Sequence, residues 1–137
     1  MFLDASVIVA ILTRERGWQD LAQRMAEPIY LSPLTRFEAI VSLARIKAKP
    51  TGKRPTAEIM ALARDAVDDF SLEAGAVGIE ITDSIGSLAI EASMRYGKTV
   101  GHRADLNFGD CFAYACAKAL NVPLLYKGND FSQTDLA

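Results

Sequence analysis

The sequence is poor in the residue types that hold zinc, haem or disulfide frameworks. Among its 137 residues are one histidine and two cysteines. Cys111 and Cys116 lie five residues apart on a predicted helix, where their side chains point about 140° from each other. They therefore form neither an intrahelical disulfide nor a paired metal site. We expect both to be packing residues of a protein kept in a reducing compartment.

A membrane-spanning segment and a basic leader are also missing. The apolar opening "MFLDASVIVAIL" is interrupted by Asp4 and has no basic residue before it. It is too short to cross a bilayer. We therefore expect a cytoplasmic protein that makes no membrane contact.

No charge of one sign dominates the chain. Lysine and arginine number 15 and aspartate and glutamate 17, and half of the residues are hydrophobic. This near balance neither indicates nor excludes nucleic acid as a partner. The hydrophobic content supports a buried core, and the length is that of one domain, so we assign residues 1–137 to a single domain.

The charges are nevertheless unevenly distributed. The charged residues between 36 and 54 are all basic except for Glu38, whereas the charged residues between 65 and 91 are all acidic. A basic segment is most often a solvated face, but it can also neutralise phosphate groups. The candidates for weak contact with an RNA backbone are Arg36, Lys47, Lys49, Lys53 and Arg54.

Short apolar runs alternate with segments of helical periodicity. The runs "MFLD", "IYLS", "AVGIEI" and "VPLLYK" predict strands, and helical patterns lie between them. Strands separated by helices favour a parallel sheet covered on both faces, an α/β sandwich. In such sheets, sites form beyond the carboxyl ends of the strands.

Four acidic residues occupy equivalent places in this pattern. Asp4 ends the first strand, and Asp130 follows the last. Glu38 and Asp110 are expected in the first turns of two helices, one after the second strand and one after the loop "GHRAD". Strand ends and the following helix starts share one edge of a parallel sheet, so the four carboxylates are expected to converge there.

Each acid also has a purely structural interpretation. Asp4 could cap the first helix, and Asp130 could stabilise a turn. Two pairs fit the capping-box pattern, in which the third helical residue bonds back to the cap: Thr35 with Glu38, and Asn107 with Asp110.

As a group, the acids favour a metal site. Clustered carboxylates raise one another's pKa unless a cation compensates their charge. Oxygen ligands without histidine or cysteine suit Mg²⁺ or Mn²⁺ better than Zn²⁺. One or two such ions can activate water for phosphodiester hydrolysis, and helix N-termini favour an approaching phosphate.

The segments "FLDASVIVAIL", "LTRFEAIVSLARI" and "LNFGDCFAYACAKALNVPLLYKGNDFSQTDL" resemble the PIN-domain ribonucleases, in particular the VapC toxins of bacterial toxin–antitoxin pairs. The resemblance covers the whole chain in order and spacing. It implies a PIN-like α/β/α sandwich and Mg²⁺-dependent cleavage of RNA by metal-activated water, with Mn²⁺ as a substitute ion. It also implies a homodimer and a VapB-type antitoxin whose C-terminal segment covers the acidic site.

The resemblance assigns roles to individual residues. Asp4 matches the first acid of the family's D-x-S opening, and Ser6 matches its hydroxyl. Glu38 matches the second acid and Asp110 the third. Asn107 fits the polar position three residues before the third acid, where it would act as a cap or a site contact.

The last part of the pattern departs from the family. Many relatives carry an acid directly after the glycine that follows the last strand, whereas this chain has Asn129 there and Asp130 next. Asp130 is the expected fourth ligand, and Asn129 could instead bind a phosphate or a metal-bound water. Lys127 could meet the scissile phosphate or lie in solvent. His102, the one histidine, is interpreted as a loop contact and not a general base.

Two other functions remain as alternatives. A Mg²⁺-dependent phosphatase of the dehalogenase type also places an aspartate after its first strand, but it needs a second acid where this chain has Ser6. A noncatalytic PIN module that binds RNA or protein would keep the fold without the metal. The presence of all four acidic positions favours the enzyme.

Overall fold

The computed structural model describes residues 1–137 and contains four short parallel strands. The strands are β1 (Phe2–Leu3), β2 (Tyr30–Leu31), β3 (Val77–Gly78) and β4 (Leu124–Leu125). Their order across the sheet is β3-β2-β1-β4, and every neighbouring pair is parallel. The predicted parallel sheet is confirmed, although each strand is shorter than the apolar run that predicted it.

Six α-helices cover the sheet. They are α1 (Ala5–Leu12), α2 (Trp18–Arg24), α3 (Pro33–Ala48), α4 (Ala57–Glu73), α5 (Asp83–Tyr96) and α6 (Phe108–Leu120). Short 3-10 helices follow at Lys49–Thr51, Lys98–Val100 and Asp130–Gln133. None of the helices combines the length and the apolarity needed to cross a bilayer.

Two hydrophobic clusters lie on opposite faces of the sheet, because successive strand residues point to opposite sides. Leu3, Leu31 and Leu125 join the cluster formed with α1, α3 and α4. Phe2 and Leu124 join the cluster formed with α5 and α6. The result is the expected α/β/α sandwich.

The third strand differs from its prediction. The run "AVGIEI" predicts a strand of about six residues, but β3 contains only Val77 and Gly78 and lies at the exposed edge of the sheet. An edge strand has a neighbour on one side only, so Val77 remains half exposed.

The start of α3 corrects one capping prediction. Ser32 is the N-cap, and its Oγ accepts a hydrogen bond from the backbone N–H of Thr35 at 3.1 Å. Pro33 takes the first helical position, where its fixed φ and missing N–H cost nothing. The capping box of Thr35 with Glu38 is therefore wrong, and Glu38 lies in the second turn of α3 instead of the first.

Candidate active site

All four predicted acids line one cleft at the carboxyl edge of the sheet. The cleft has a volume of about 440 Å³. Asp4 follows β1, Glu38 comes from α3, Asp110 from α6, and Asp130 from the segment after β4. Other residues that line it include Ser6, Glu15, Ser42, Asn107 and Lys127.

Asp4 is the N-cap of α1 and is almost fully buried. Its Oδ2 accepts hydrogen bonds from both the backbone N–H and the hydroxyl of Ser6. Burial raises the pKa of Asp4, and the charge of Asp130 adds to this effect, while the Ser6 bonds oppose it. The Ser6 hydroxyl in turn accepts from the backbone N–H of Lys127 at 3.0 Å, which ties the end of β4 to the start of α1.

Asp110 forms the predicted capping box with Asn107. The Asn107 side chain accepts from the backbone N–H of Asp110, and Asp110 Oδ2 accepts from the backbone N–H of Asn107, both at 2.9 Å. Capping occupies one carboxylate oxygen and leaves Oδ1 without a hydrogen bond inside the chain, so the same side chain can cap and bind a cation. Burial raises the pKa of Asp110 to about 6, aided by nearby carboxylates and opposed by the Asn107 N–H.

Glu38 reaches from α3 to the start of α6. Its carboxylate lies against the Cα of Gly109, and it makes neither an ion pair nor a hydrogen bond within the chain. Burial, followed by the charges of Asp4 and Asp110, raises the pKa of Glu38 to about 7. Such a group gains most from a cation placed among the three carboxylates.

For the fourth predicted acid, which follows β4, the structure distinguishes Asp130 from Asn129. Asp130 begins the last 3-10 helix and lines the cleft, whereas Asn129 does not line it. The carbonyl of Asn129 instead accepts from the N–H and the hydroxyl of Ser132. Of these two residues, Asp130 is therefore the candidate ligand at this corner of the cleft.

Sequence reasoning missed two polar residues of the cleft. Glu15 forms an ion pair with Lys127 at the rim. It lies beyond the end of α1 in an irregular turn, where no periodicity marks it. Ser42 lies one helical turn after Glu38 on α3, and this spacing of four residues could have identified it.

The predicted phosphate-binding residues fall into two groups. Arg36 donates two hydrogen bonds to Asp68, at 2.7 and 2.8 Å, and so joins α3 to α4. Lys47, Lys49, Lys53 and Arg54 are exposed and form no ion pair.

His102 lies outside the cleft. Its Nδ1 accepts from the backbone N–H of Ala104 at 3.1 Å, and its ring packs edge-on against Tyr96. This placement agrees with its interpretation as a loop contact.

The donor chemistry of the cleft fits a hard divalent cation. The cleft offers carboxylate, hydroxyl and amide oxygens and no sulfur or imidazole ligand. The acidic side chains of the metal-free structure do not form a group of three or more that could hold an ion by themselves. Mg²⁺ suits such an open arrangement, because it keeps several waters and typically takes only one or two carboxylates from the protein.

Comparisons with known proteins agree with this geometry. The family model described as the PIN domain matches residues 1–136. A VapC ribonuclease of Rhizobium meliloti is 47% identical over 139 residues, with 98% of each chain covered. Ribonuclease VapC42 of Mycobacterium tuberculosis is 36% identical over 138 residues, covering 99% of this chain and 96% of its own.

Solved structures share the fold at much lower sequence identity. The crystal structure of Mycobacterium tuberculosis VapC20, described as a toxin that cleaves the sarcin–ricin loop, superposes with a TM-score of 0.71 at 16% identity and covers 99% of this chain and 95% of its own. A toxin–antitoxin complex from Klebsiella pneumoniae gives a TM-score of 0.65 at 14% identity and covers 98% and 92%. On the full-length sequence matches, the chain belongs to the PIN-domain family and, within it, to the VapC ribonucleases.

Proposed function

We propose that this chain is a Mg²⁺-dependent endoribonuclease that acts as the toxin of a toxin–antitoxin pair. The observation that carries the proposal is the convergence of Asp4, Glu38, Asp110 and Asp130 in one cleft. The raised pKa values of the first three support it, because they reflect acids gathered where a cation would be stabilised. Mn²⁺ should substitute for Mg²⁺, since both prefer oxygen ligands.

Asp4 and Asp110 would hold the principal ion, and Glu38 and Asp130 would complete the site directly or through water. Ser6 fixes the orientation of the Asp4 carboxylate, and Asn107 fixes that of Asp110. When bound, the ion would activate water and offset charge on the leaving oxygen of the phosphodiester. The N-terminus of α6, which begins beside Asp110, favours the negative charge of the phosphate.

Lys127 is the one basic side chain that lines the acidic cleft. Its ammonium group pairs with Glu15, and both side chains are partly exposed in the lining of the cleft. There it would meet an RNA phosphate and reduce the repulsion between the nucleic acid and the acidic cleft. Asn129 does not line the cleft, so a role in phosphate binding has less support.

The partners follow from the same family membership. We propose a VapB-type antitoxin that covers the acidic cleft, a homodimer, and action in the cytoplasm on an RNA substrate. The toxin names of the relatives and the complex from Klebsiella pneumoniae support the antitoxin. Large apolar side chains exposed on the surface, such as Phe37, Leu62 and Phe108, would suit such protein contacts.

The proposal is tested by incubating structured RNA with the wild type and with Asp4→Asn, in Mg²⁺ and with a chelator. Asparagine keeps the oxygen that accepts from Ser6 but removes the charge that binds a cation. We expect cleavage by the wild type in Mg²⁺ only, and a loss of at least about a hundredfold in Asp4→Asn, because several kcal/mol of charge stabilisation depend on the ion.

The matched control is Asp69→Asn, which removes an exposed carboxylate on α4 and should leave cleavage unchanged. Cleavage that survives in Asp4→Asn or in chelator would refute the metal-dependent mechanism. A wild type that neither binds Mn²⁺ nor cleaves RNA would point instead to the noncatalytic binding module.

A further inference from the structure

One face of α3 connects the acidic cleft to a second groove. Glu38, Ser42 and Arg45 are separated by four and then three residues, so they lie along one stripe of the helix. Glu38 and Ser42 line the acidic cleft, whereas Arg45 lines a separate groove of about 680 Å³. At 1.5 Å per residue, Arg45 lies about 10 Å along the helix axis from Glu38.

The second groove is basic. Lys53 and Arg54 line it together with Arg45, and we call it the basic groove. These two residues reach it because the chain turns after α3: Gly52 adopts a left-handed conformation with a φ of 66°, and the Thr51 hydroxyl accepts from the backbone N–H of Lys53 at 3.1 Å.

The positive charges of the basic groove are not neutralised. Arg45, Lys53 and Arg54 are exposed and take part in none of the ion pairs of the chain. Glu58, in the first turn of α4, follows closely in sequence but makes no ion pair with them. Arg24 and Arg64 are each paired with an aspartate, whereas Arg95 on α5 is exposed and unpaired like the groove residues. The basic groove is therefore distinguished by the grouping of three unpaired charges in one lining.

Apolar side chains complete the groove. Val41 and Met60 line it beside the three basic residues. A positively charged groove is the part of a single-strand binding surface that holds the nucleic-acid backbone without reading sequence. The basic groove and the acidic cleft share no lining residue, but residues of the same stripe of α3 line both.

We infer that the basic groove holds the RNA backbone next to the cleavage site, with Arg45, Lys53 and Arg54 contacting phosphates on one side of the scissile bond. The inference rests on the proposed function and adds the path of the substrate to it. The two ends of α3 then have different roles. Glu38, in its first half, lies in the cleft that binds the cation, and Arg45, in its last turn, contacts the flanking phosphates. The groove contributes affinity and not sequence specificity, since phosphate contacts carry no base information.

The test measures cleavage of a single-stranded RNA at several salt concentrations. The variant is Lys53→Gln with Arg54→Gln, and the matched control is Arg24→Gln with Arg64→Gln, which removes the same charge from other exposed sites. We expect the groove variant to raise KM about tenfold at low salt with kcat unchanged. The slope of log kcat/KM against log salt should become shallower by about 1.4, at 0.7 per lost phosphate contact on a single strand.

Binding of Mn²⁺ should be equal in the groove variant, the control and the wild type, because none of the four changes touches the acidic cleft. Equal KM values and equal salt slopes in the groove variant and the control would overturn the inference while leaving the ribonuclease intact. Loss of antitoxin binding with unchanged RNA kinetics would also overturn it, and would assign the groove to the protein partner.

The basic-groove proposal and the catalytic proposal can be contradicted independently of each other. If the wild type does not cleave the RNA, equilibrium binding of the intact RNA is measured on the same three proteins at the same salt concentrations. A shallower salt slope for the groove variant alone would then support the basic groove and contradict the catalytic proposal. Equal slopes would contradict the groove.

Discussion

The carboxylate of Glu38 on α3 packs directly against the Cα of Gly109 in the first turn of α6, in the space that a side chain at residue 109 would fill. These two helices belong to opposite layers of the sandwich and meet over the carboxyl edge of β1. Because Gly109 has no side chain, the Glu38 carboxylate from one layer can lie close to the Asp110 carboxylate from the other.

Gly109→Ala should therefore displace Glu38 and weaken divalent-ion binding. The added methyl would overlap the carboxylate, so we expect the affinity for Mn²⁺ to fall about tenfold, corresponding to about 1.4 kcal/mol. Titration followed by the electron paramagnetic resonance signal of free Mn²⁺ measures this. Gly86→Ala on α5 is the control, since a methyl there meets no atom within 4 Å.

The control also separates site geometry from helix propensity. Replacing glycine by alanine inside a helix stabilises it by up to about 1 kcal/mol. Gly86→Ala should show that gain in chemical unfolding with unchanged Mn²⁺ affinity. Equal Mn²⁺ affinities in both variants would mean that Gly109 does not set the position of Glu38.

The stability of the metal-free protein should fall as the pH rises from about 4 to about 7. The pKa of Glu38 is raised from 4.5 to about 7 and that of Asp110 from 3.8 to about 6, so the folded chain holds protons that the unfolded chain releases. Stability that depends on these protons is complete below the unfolded-state values and is lost as the pH passes through the folded-state values. Urea unfolding at pH 5 and pH 8 measures the difference.

Glu38→Gln and added Mg²⁺ should both reduce this pH dependence. The amide cannot ionise, and a cation stabilises the carboxylate form that burial disfavours. A pH-independent free energy of unfolding for the metal-free wild type between pH 5 and pH 8 would contradict the clustered-acid description.

Asn107→Ala should lower both stability and metal affinity. It removes the side chain that caps α6 by accepting from the backbone N–H of Asp110, and the loss of a cap costs about 1 kcal/mol. The backbone N–H of residue 107 still donates to the Asp110 carboxylate, but the uncapped first turn holds that carboxylate less firmly. Thr82→Ala removes the corresponding cap of α5, where the Thr82 hydroxyl accepts from the backbone N–H of Ile85 at 3.2 Å. We expect similar losses in thermal unfolding but weaker Mn²⁺ binding only in Asn107→Ala. Unchanged Mn²⁺ binding there would limit Asn107 to a structural role.

Lys127→Met should raise KM for RNA by about tenfold without weakening the binding of Mn²⁺. The change removes the basic side chain that lines the acidic cleft, so repulsion of the substrate increases while attraction of the cation does not fall. Lys118→Met, which removes a lysine paired with Asp135 away from the cleft, is the matched control. Steady-state cleavage kinetics compare the two, and equal KM values would exclude a phosphate contact by Lys127.

Much of the fold and of the site could be predicted from the sequence, because local rules place the acids. Asp4 follows the end of β1 and caps α1, and Asp110 lies in the first turn of α6, where it completes the expected capping box. Parallel topology then brings them to one edge. Glu38 was misplaced by one turn because Ser32, followed by Pro33, starts α3 earlier than the Thr35 pattern suggests.

Other features depend on contacts between distant segments, which no local pattern encodes. Arg36 and Asp68 are 32 residues apart, and Glu15 and Lys127 are 112 apart. Whether Arg36 is free to bind phosphate or is paired with Asp68 depends on how α3 packs on α4. The exposure of β3 likewise follows from its edge position in the sheet and not from its composition.

The most direct test of the account is a calorimetric titration of Mn²⁺ into the wild type, Asp110→Asn and Asp69→Asn at pH 7.5. Asparagine at residue 110 retains an oxygen for the capping bond but loses the charge, so the variant should stay folded and lose Mn²⁺ binding. The wild type and Asp69→Asn should bind Mn²⁺ with equal affinity. Undiminished binding to a folded Asp110→Asn would contradict the central claim that the carboxylate at the start of α6 is there for a divalent ion.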